Sequence, residues 1–172
     1  AQIMWSKYTE AVLRNMSSDN GNKNGMKEWL AKNISMVLDL VIMIRGKLSR
    51  LQRKVLAALI TTDVFCKDQI EVFVNDGVSR VNDFAWQQQL RYYWVDELDG
   101  PHTDGGCVIK HANATLRYMY EYMGCTSRLV ITPLTVKAWL TITGAIHLKL
   151  GAAPAGPAGT GKTETVKDLG KA

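Results

Sequence analysis

Cysteine is scarce in this sequence and never paired. Cys66, Cys107 and Cys125 are the only three in 172 residues, and no CxxC spacing occurs. A structural zinc site draws its thiolates from close pairs, so none is available here. An odd thiol count fits a reducing compartment better than a disulfide framework. Long apolar runs are missing too. The longest, VLDLVIMI from Val37 to Ile44, contains Asp39 and falls far short of the ~20 residues a bilayer requires. The opening AQIMWSKYTE has no initiator Met, no basic n-region and no apolar stretch, so it does not read as a signal peptide. The abrupt start and end lead us to expect an excerpt of something longer. Asn15, Asn33 and Asn113 stand in Asn-x-Ser/Thr triplets, which carry meaning only in the secretory route. Charge is not strongly one-sided: 21 basic and 16 acidic residues leave +5, an ordinary basic surface. Prolines number only four and aromatics reach 8%, while 47% of residues are hydrophobic. That composition excludes disorder and supplies one core, with room for part of a second domain.

What is present begins with helical patterning. Gln2 to Met16 reads as a short helix, and SSDNGNKNG (Ser17 to Gly25) as a loop. Val37, Val41, Ile44, Leu48, Leu51, Val55 and Ala58 recur at spacings of four and three, the stripe of one long helix or of two meeting near Gly46. Arg45, Lys47, Arg50, Arg53 and Lys54 crowd the same stretch, mostly off the stripe. No aromatics interleave with them, so we read a core-packing helix with a solvated basic face, not a nucleic-acid or membrane surface. Helical character is expected from Asp63 to Phe73, ending at the turn Asn75–Asp76–Gly77. Tyr92, Tyr93 and Trp94 are read as core aromatics. DGPHTDGG (Asp99 to Gly106) is a second loop, whose His102 and Asp104 are too few for a metal site. NATLRYMYEYM (Asn113 to Met123) reads as a helix with Leu116, Met119, Tyr120 and Met123 inward and Gly124 as its cap. RLVIT (Arg128 to Thr132) reads as a buried strand halted by Pro133. Thr135 is expected to cap a helix bearing Val136, Trp139, Leu140, Thr143 and Ile146 and ending at Gly151. The change from all-helical to α/β character is placed between Cys125 and Arg128.

Gly156-Pro157-Ala158-Gly159-Thr160-Gly161-Lys162-Thr163 fits GxxxxGK[ST]. Gly156, Gly159 and Gly161 allow the backbone to turn successive N–H groups inward as a nest for anionic oxygens. Lys162 brings a mobile ammonium to β- and γ-phosphates, and the Thr163 hydroxyl suits Mg²⁺, which prefers oxygen ligands. A helix from Gly161 onward turns its positive end to the same phosphates. The strand that should precede such a loop is weak, since LGAAPA (Leu150 to Ala155) is short and barely apolar. In its place RLVIT is expected to wall a base pocket, with Pro133 and Leu134 against an adenine ring. Phosphoryl transfer further needs acids that hold Mg²⁺ and orient water. Only nine residues follow Thr163, and Glu164 beside the loop is not assumed to reach the attacking water. Catalysis by these residues alone is therefore not expected.

YEYMG, RLVITPLT and TGAIHLKLGAAPAGPAGTGKTETVKDLGKA, with IRGKLSRLQRKVLAALITTDVFCKDQIE and RVNDFAWQQQLRYYW upstream, resemble the dynein heavy chain, most closely the axonemal type. The resemblance implies a mainly α chain, in which residues 1–125 form the C-terminal part of a helical linker bundle. Residues 126–172 would then be the start of an α/β P-loop (AAA+) module ending just after Walker A. It implies ATP and Mg²⁺ as cofactors and Gly156 to Glu164 as nucleotide-binding residues. Val130, Ile131, Pro133 and Leu134 would lie by the adenine. The implied parent is an ATPase that moves along microtubules with other dynein chains in the cytoplasm, cytoskeleton and ciliary axoneme, with no nucleic-acid or membrane partner. After PLT the family usually has an Asp, a basic residue, Cys and an aromatic, where this chain has Val136, Lys137, Ala138 and Trp139. The alternative from another class is a non-catalytic helical scaffold retaining a vestigial P-loop.

Overall fold

A computed structural model describes residues 1–97, 104–121 and 127–172. Three helices carry the core: α1 (Gln2–Ser17), α2 (Gly25–Ile44) and α3 (Arg50–Asn75). Leu13, Met26, Ile70 and Phe73 bury almost completely, and a short helix α4 (Phe84–Gln87) inserts Trp86 among them. Trp86 meets Trp5 at 5.4 Å and Phe73 edge-on at 6.2 Å between ring centroids. Such tilted and edge-on pairs add to what area burial alone contributes.

The apolar stripe resolves into two helices that break at residues 45–49. Ser49 and Gln52 form a reciprocal capping box at the start of α3. Arg53 donates to the Ile44 carbonyl at 2.8 Å and to that of Gly46 at 3.4 Å, so one of the basic residues caps the helix before it. The stripe is covered less than its spacing predicts: Leu51 and Val55 are exposed and Val37, Val41 and Ile44 only half-buried. Val41, Ile44, Leu51 and Val55 lie toward the turn end of the α2–α3 hairpin, while Val37 lines a cavity beside Trp5, Trp29 and Cys66.

The region expected to be all-helical contains a three-stranded antiparallel sheet, β1 (Arg91–Glu97), β2 (Asp104–His111) and β3 (Ala114–Arg117), in the order β1-β2-β3. Tyr92 pairs with Ile109 and Trp94 with Cys107, while Ile109 pairs in turn with Leu116. The Tyr92 N–H donates to the Ser6 hydroxyl at 2.8 Å and ties β1 to α1. Of the aromatic trio only Tyr92 is core: Tyr93, on the opposite face of β1, is half-buried, and Trp94, two residues further along the Tyr92 face, is exposed. Asp104 to Gly106, expected in a loop, open β2. The helix expected over Asn113 to Met123 is corrected as well. Its first residues form β3, and Tyr118 and Tyr120 are bound to β2 through the Cys107 carbonyl and N–H. Met119 is 77% exposed and Tyr120 is also exposed, not inward. The apolar spacing was helical, but the sheet edge offered hydrogen bonds that a helix would have forgone. His102, Met123, Gly124 and Cys125 lie outside the described residues. Cys66 and Cys107 are buried free thiols, and burial pushes the Cys66 thiol up, away from reactivity.

RLVIT is not a strand. Residues 127–132 run without ladder hydrogen bonds, and Val130 is 77% exposed. Helix α5 (Pro133–His147) begins three residues earlier than expected. Thr132, not Thr135, is the N-cap, Pro133 sits at the first helical position, and Thr135 returns a bond to the Thr132 N–H at 2.8 Å. The helix also ends before Gly151. Leu150 N–H reaches the Ala145 carbonyl and Lys149 N–H that of Ile146, a Schellman closure with Lys149 at φ 59°. Lys149→Gly, which removes the left-handed penalty on a side-chain residue, should raise stability by about 1 kcal/mol in urea titration.

Candidate nucleotide site and the junction behind it

The loop ahead of the last helix adopts the backbone its glycines permit. Gly156, Gly159 and Gly161 take φ of 148°, 77° and 77°, and helix α6 (Lys162–Lys171) starts directly on Gly161. Lys162 turns its ammonium back over the loop, donating to the Gly156 carbonyl at 2.7 Å, to the Pro157 carbonyl and to Thr160 Oγ1 at 3.2 Å. The loop therefore curls around its own cation. Gly161 supplies no side-chain cap, so the first N–H groups of α6 remain donors without an intrahelical acceptor. Ala158 and Thr163 are exposed. Positive-φ glycines, helix-start N–H donors and one ammonium lie within eight residues, a set of groups that suits a polyphosphate. The exposed Thr163 hydroxyl is an oxygen donor of the kind that a hard cation accepts. Among the described residues no group of three His, Cys, Asp or Glu comes together as a metal site. Glu164 pairs with Lys167 at 3.0 Å.

The four residues expected at the adenine lie on the segment that leads into α5. Val130, Pro133 and Leu134 are exposed, Leu134 at 75%, and Ile131 is half-buried. What anchors this segment is Asp168 of α6, which sequence reasoning missed. Asp168 is 1% exposed, and its carboxylate accepts from Arg128 Nε at 3.1 Å, Arg128 Nη2 at 3.3 Å and the Leu129 N–H at 3.2 Å. The signal available in the sequence was an acid two turns after Lys162 on the face that also carries Thr165.

Helix α5 joins α6 to the sheet. On one side Trp139 Nε1 donates to the Thr165 carbonyl at 3.0 Å. On the other, Thr143 Oγ1 meets His111 Nδ1 at 2.8 Å, and His111 Nε2 lies 2.9 Å from the Gln88 carbonyl. A carbonyl only accepts, so Nε2 carries the proton and Nδ1 accepts from the Thr143 hydroxyl. Burial, with Arg91 nearby adding to it, pulls His111 down to about 4. The unfolded chain binds this proton more readily, so His111 lowers stability as pH falls from about 6.5 to about 4, by roughly 3 kcal/mol in all. His111→Gln should flatten that part of the curve. Urea titrations of both proteins at pH 7 and pH 4.5 measure the difference.

A family model described as the hydrolytic ATP binding site of the dynein motor region matches residues 118–172. Dynein axonemal heavy chain 1 of Homo sapiens is 57% identical over 134 residues, 78% of this chain and 3% of the relative. Dynein axonemal heavy chain 6 of Homo sapiens is 44% identical over all of this chain and 4% of its own length, and heavy chain 12 of Rattus norvegicus 42% over all of it and 5% of its own. The chain thus spans a few per cent of the curated relatives it matches.

Proposed function

Since this chain is a homologue of the axonemal dynein heavy chains, we propose that it carries the phosphate-binding half of a motor ATPase site together with the end of the lever that the site drives. The observation that carries this reading is the ring of Gly156, Gly159 and Gly161 at positive φ around Lys162, at the uncapped start of α6. In it the main-chain donors of residues 159–164 take phosphate oxygens, and Lys162 exchanges loop carbonyls for the β- and γ-phosphates. Thr163 takes one position on Mg²⁺, which supplies charge neutralisation between the phosphates. Val130, Ile131, Pro133 and Leu134 form one side of the base pocket. Residues up to 125 belong to the linker, and α5 passes strain between the two parts. Microtubules and other dynein chains are partners of the heavy chain as a whole, in the axoneme.

The two acids of α6 are both engaged, Glu164 with Lys167 and Asp168 with Arg128. Asp168 is buried against Arg128, and Glu164 lies exposed at the helix start beside the loop, so the 172-residue chain is expected to bind nucleotide without turning it over. In calorimetry Lys162→Ala should weaken ATP binding between about ten- and a hundredfold, the size of a lost charge-assisted hydrogen bond. Magnesium-dependent phosphate release that disappears in Lys162→Ala would instead show a complete site. Leu134→Asp should lower ATP affinity several-fold while sparing tripolyphosphate; equal ATP affinity in the two proteins would remove Leu134 from the base pocket.

A further inference from the structure

The segment before α5 makes no ladder hydrogen bonds, yet it must be held if it is to present a surface to a ligand. Among the described residues, the hydrogen bonds that reach it from α6 all come to one buried carboxylate. Asp168 takes the Arg128 guanidinium on both oxygens and the Leu129 N–H on one of them, across 39 to 40 residues of sequence. The Arg128 side chain is itself 13% exposed, so both charges are largely out of water. A pair of this kind adds little net stability over an apolar contact, but it demands one geometry, and loss of either partner strands the other charge. Asp168 lies on the same short helix as Lys162, six residues on, so this carboxylate fixes the segment relative to the glycine loop.

We infer that Asp168 is a positioning residue for nucleotide recognition: through Arg128 and the Leu129 N–H it sets the distance between the base-side segment and the phosphate loop. This inference rests on the site reading above. It divides the affinity for ATP into a part that needs Asp168, contributed by the base, and a part that does not, contributed by the phosphates.

The division is measurable in the 172-residue chain by comparing ATP with inorganic tripolyphosphate in calorimetry. Asp168→Asn retains an oxygen for the Leu129 N–H and loses the ion pair; it should weaken ATP about tenfold and tripolyphosphate less than twofold. Asp168→Ala, which loses both contacts, should weaken ATP further, and Asp168→Glu should restore part of the loss. Arg128→Asp with Asp168→Arg should fail to restore it, because the Leu129 N–H would then face a donor. Amide exchange at Leu129 supplies a readout independent of ligand: it should accelerate in Asp168→Ala while the amides of Ile70 and Phe73 remain protected. An unchanged ratio of ATP to tripolyphosphate affinity in Asp168→Ala, or unchanged exchange at Leu129, overturns the inference. Loss of both ligands in Asp168→Asn, with α1 to α3 still folded, overturns it as well, since Asp168 would then shape the phosphate loop. Lys162→Ala separates the two levels: if it leaves tripolyphosphate binding intact, the site reading itself fails, whatever Asp168 does.

Discussion

The C-terminal third of this chain depends on how one helix is held. Helix α5 packs between the sheet and α6, and hydrogen bonds at two of its buried side chains, four residues apart, tie it to each. Trp139 reaches the Thr165 carbonyl in α6, and Thr143 reaches His111 at the end of β2. Residues 139 and 143 are one turn apart, and both are buried. One turn of helix thus links α6 to the sheet, and His111 extends the hydrogen-bonded chain through the Gln88 carbonyl to the end of α4.

The chemistry of that junction favours fidelity over strength. His111 is held neutral by burial, and its tautomer is fixed by an acceptor-only carbonyl on one nitrogen. A neutral imidazole in that place avoids the cost of an isolated buried charge while still requiring two partners at defined angles. The Arg128–Asp168 pair uses the opposite device, two buried charges that satisfy one another and one backbone donor. Both couple segments that sequence separates by more than thirty residues. The glycine loop needs no such help, because its geometry is made within eight residues.

How much was legible follows the range of the interactions. The helices α1 to α3 and the turn at Gly77 were readable, and the break near Gly46 was one of two readings, because period, capping and left-handed turns are local properties. The sheet was not. Leu116, Met119, Tyr120 and Met123 have helical spacing, yet the chain from Ala114 to Tyr120 follows the edge of β2, where backbone partners were waiting. RLVIT has strand composition but no described neighbour to pair with, and composition without a partner makes no strand. Thr132 took the capping role expected of Thr135 because Pro133 is well suited to the first helical position and poorly to the strand it was thought to end.

By itself the sequence determined the glycine loop: three glycines that turn its backbone, a lysine and a threonine at the helix start, and enough flanking identity to name the family it resembles. Those features are chemical and close-range, so eight residues specify them. Only the tertiary structure decided what the loop is attached to. That Asp168 is buried against Arg128, that Trp139 and Thr143 serve two different neighbours, and that His111 stays neutral depend on which distant groups arrive beside them. No period or spacing along the chain records such arrivals, because they are set by the packing of α5 between the sheet and α6.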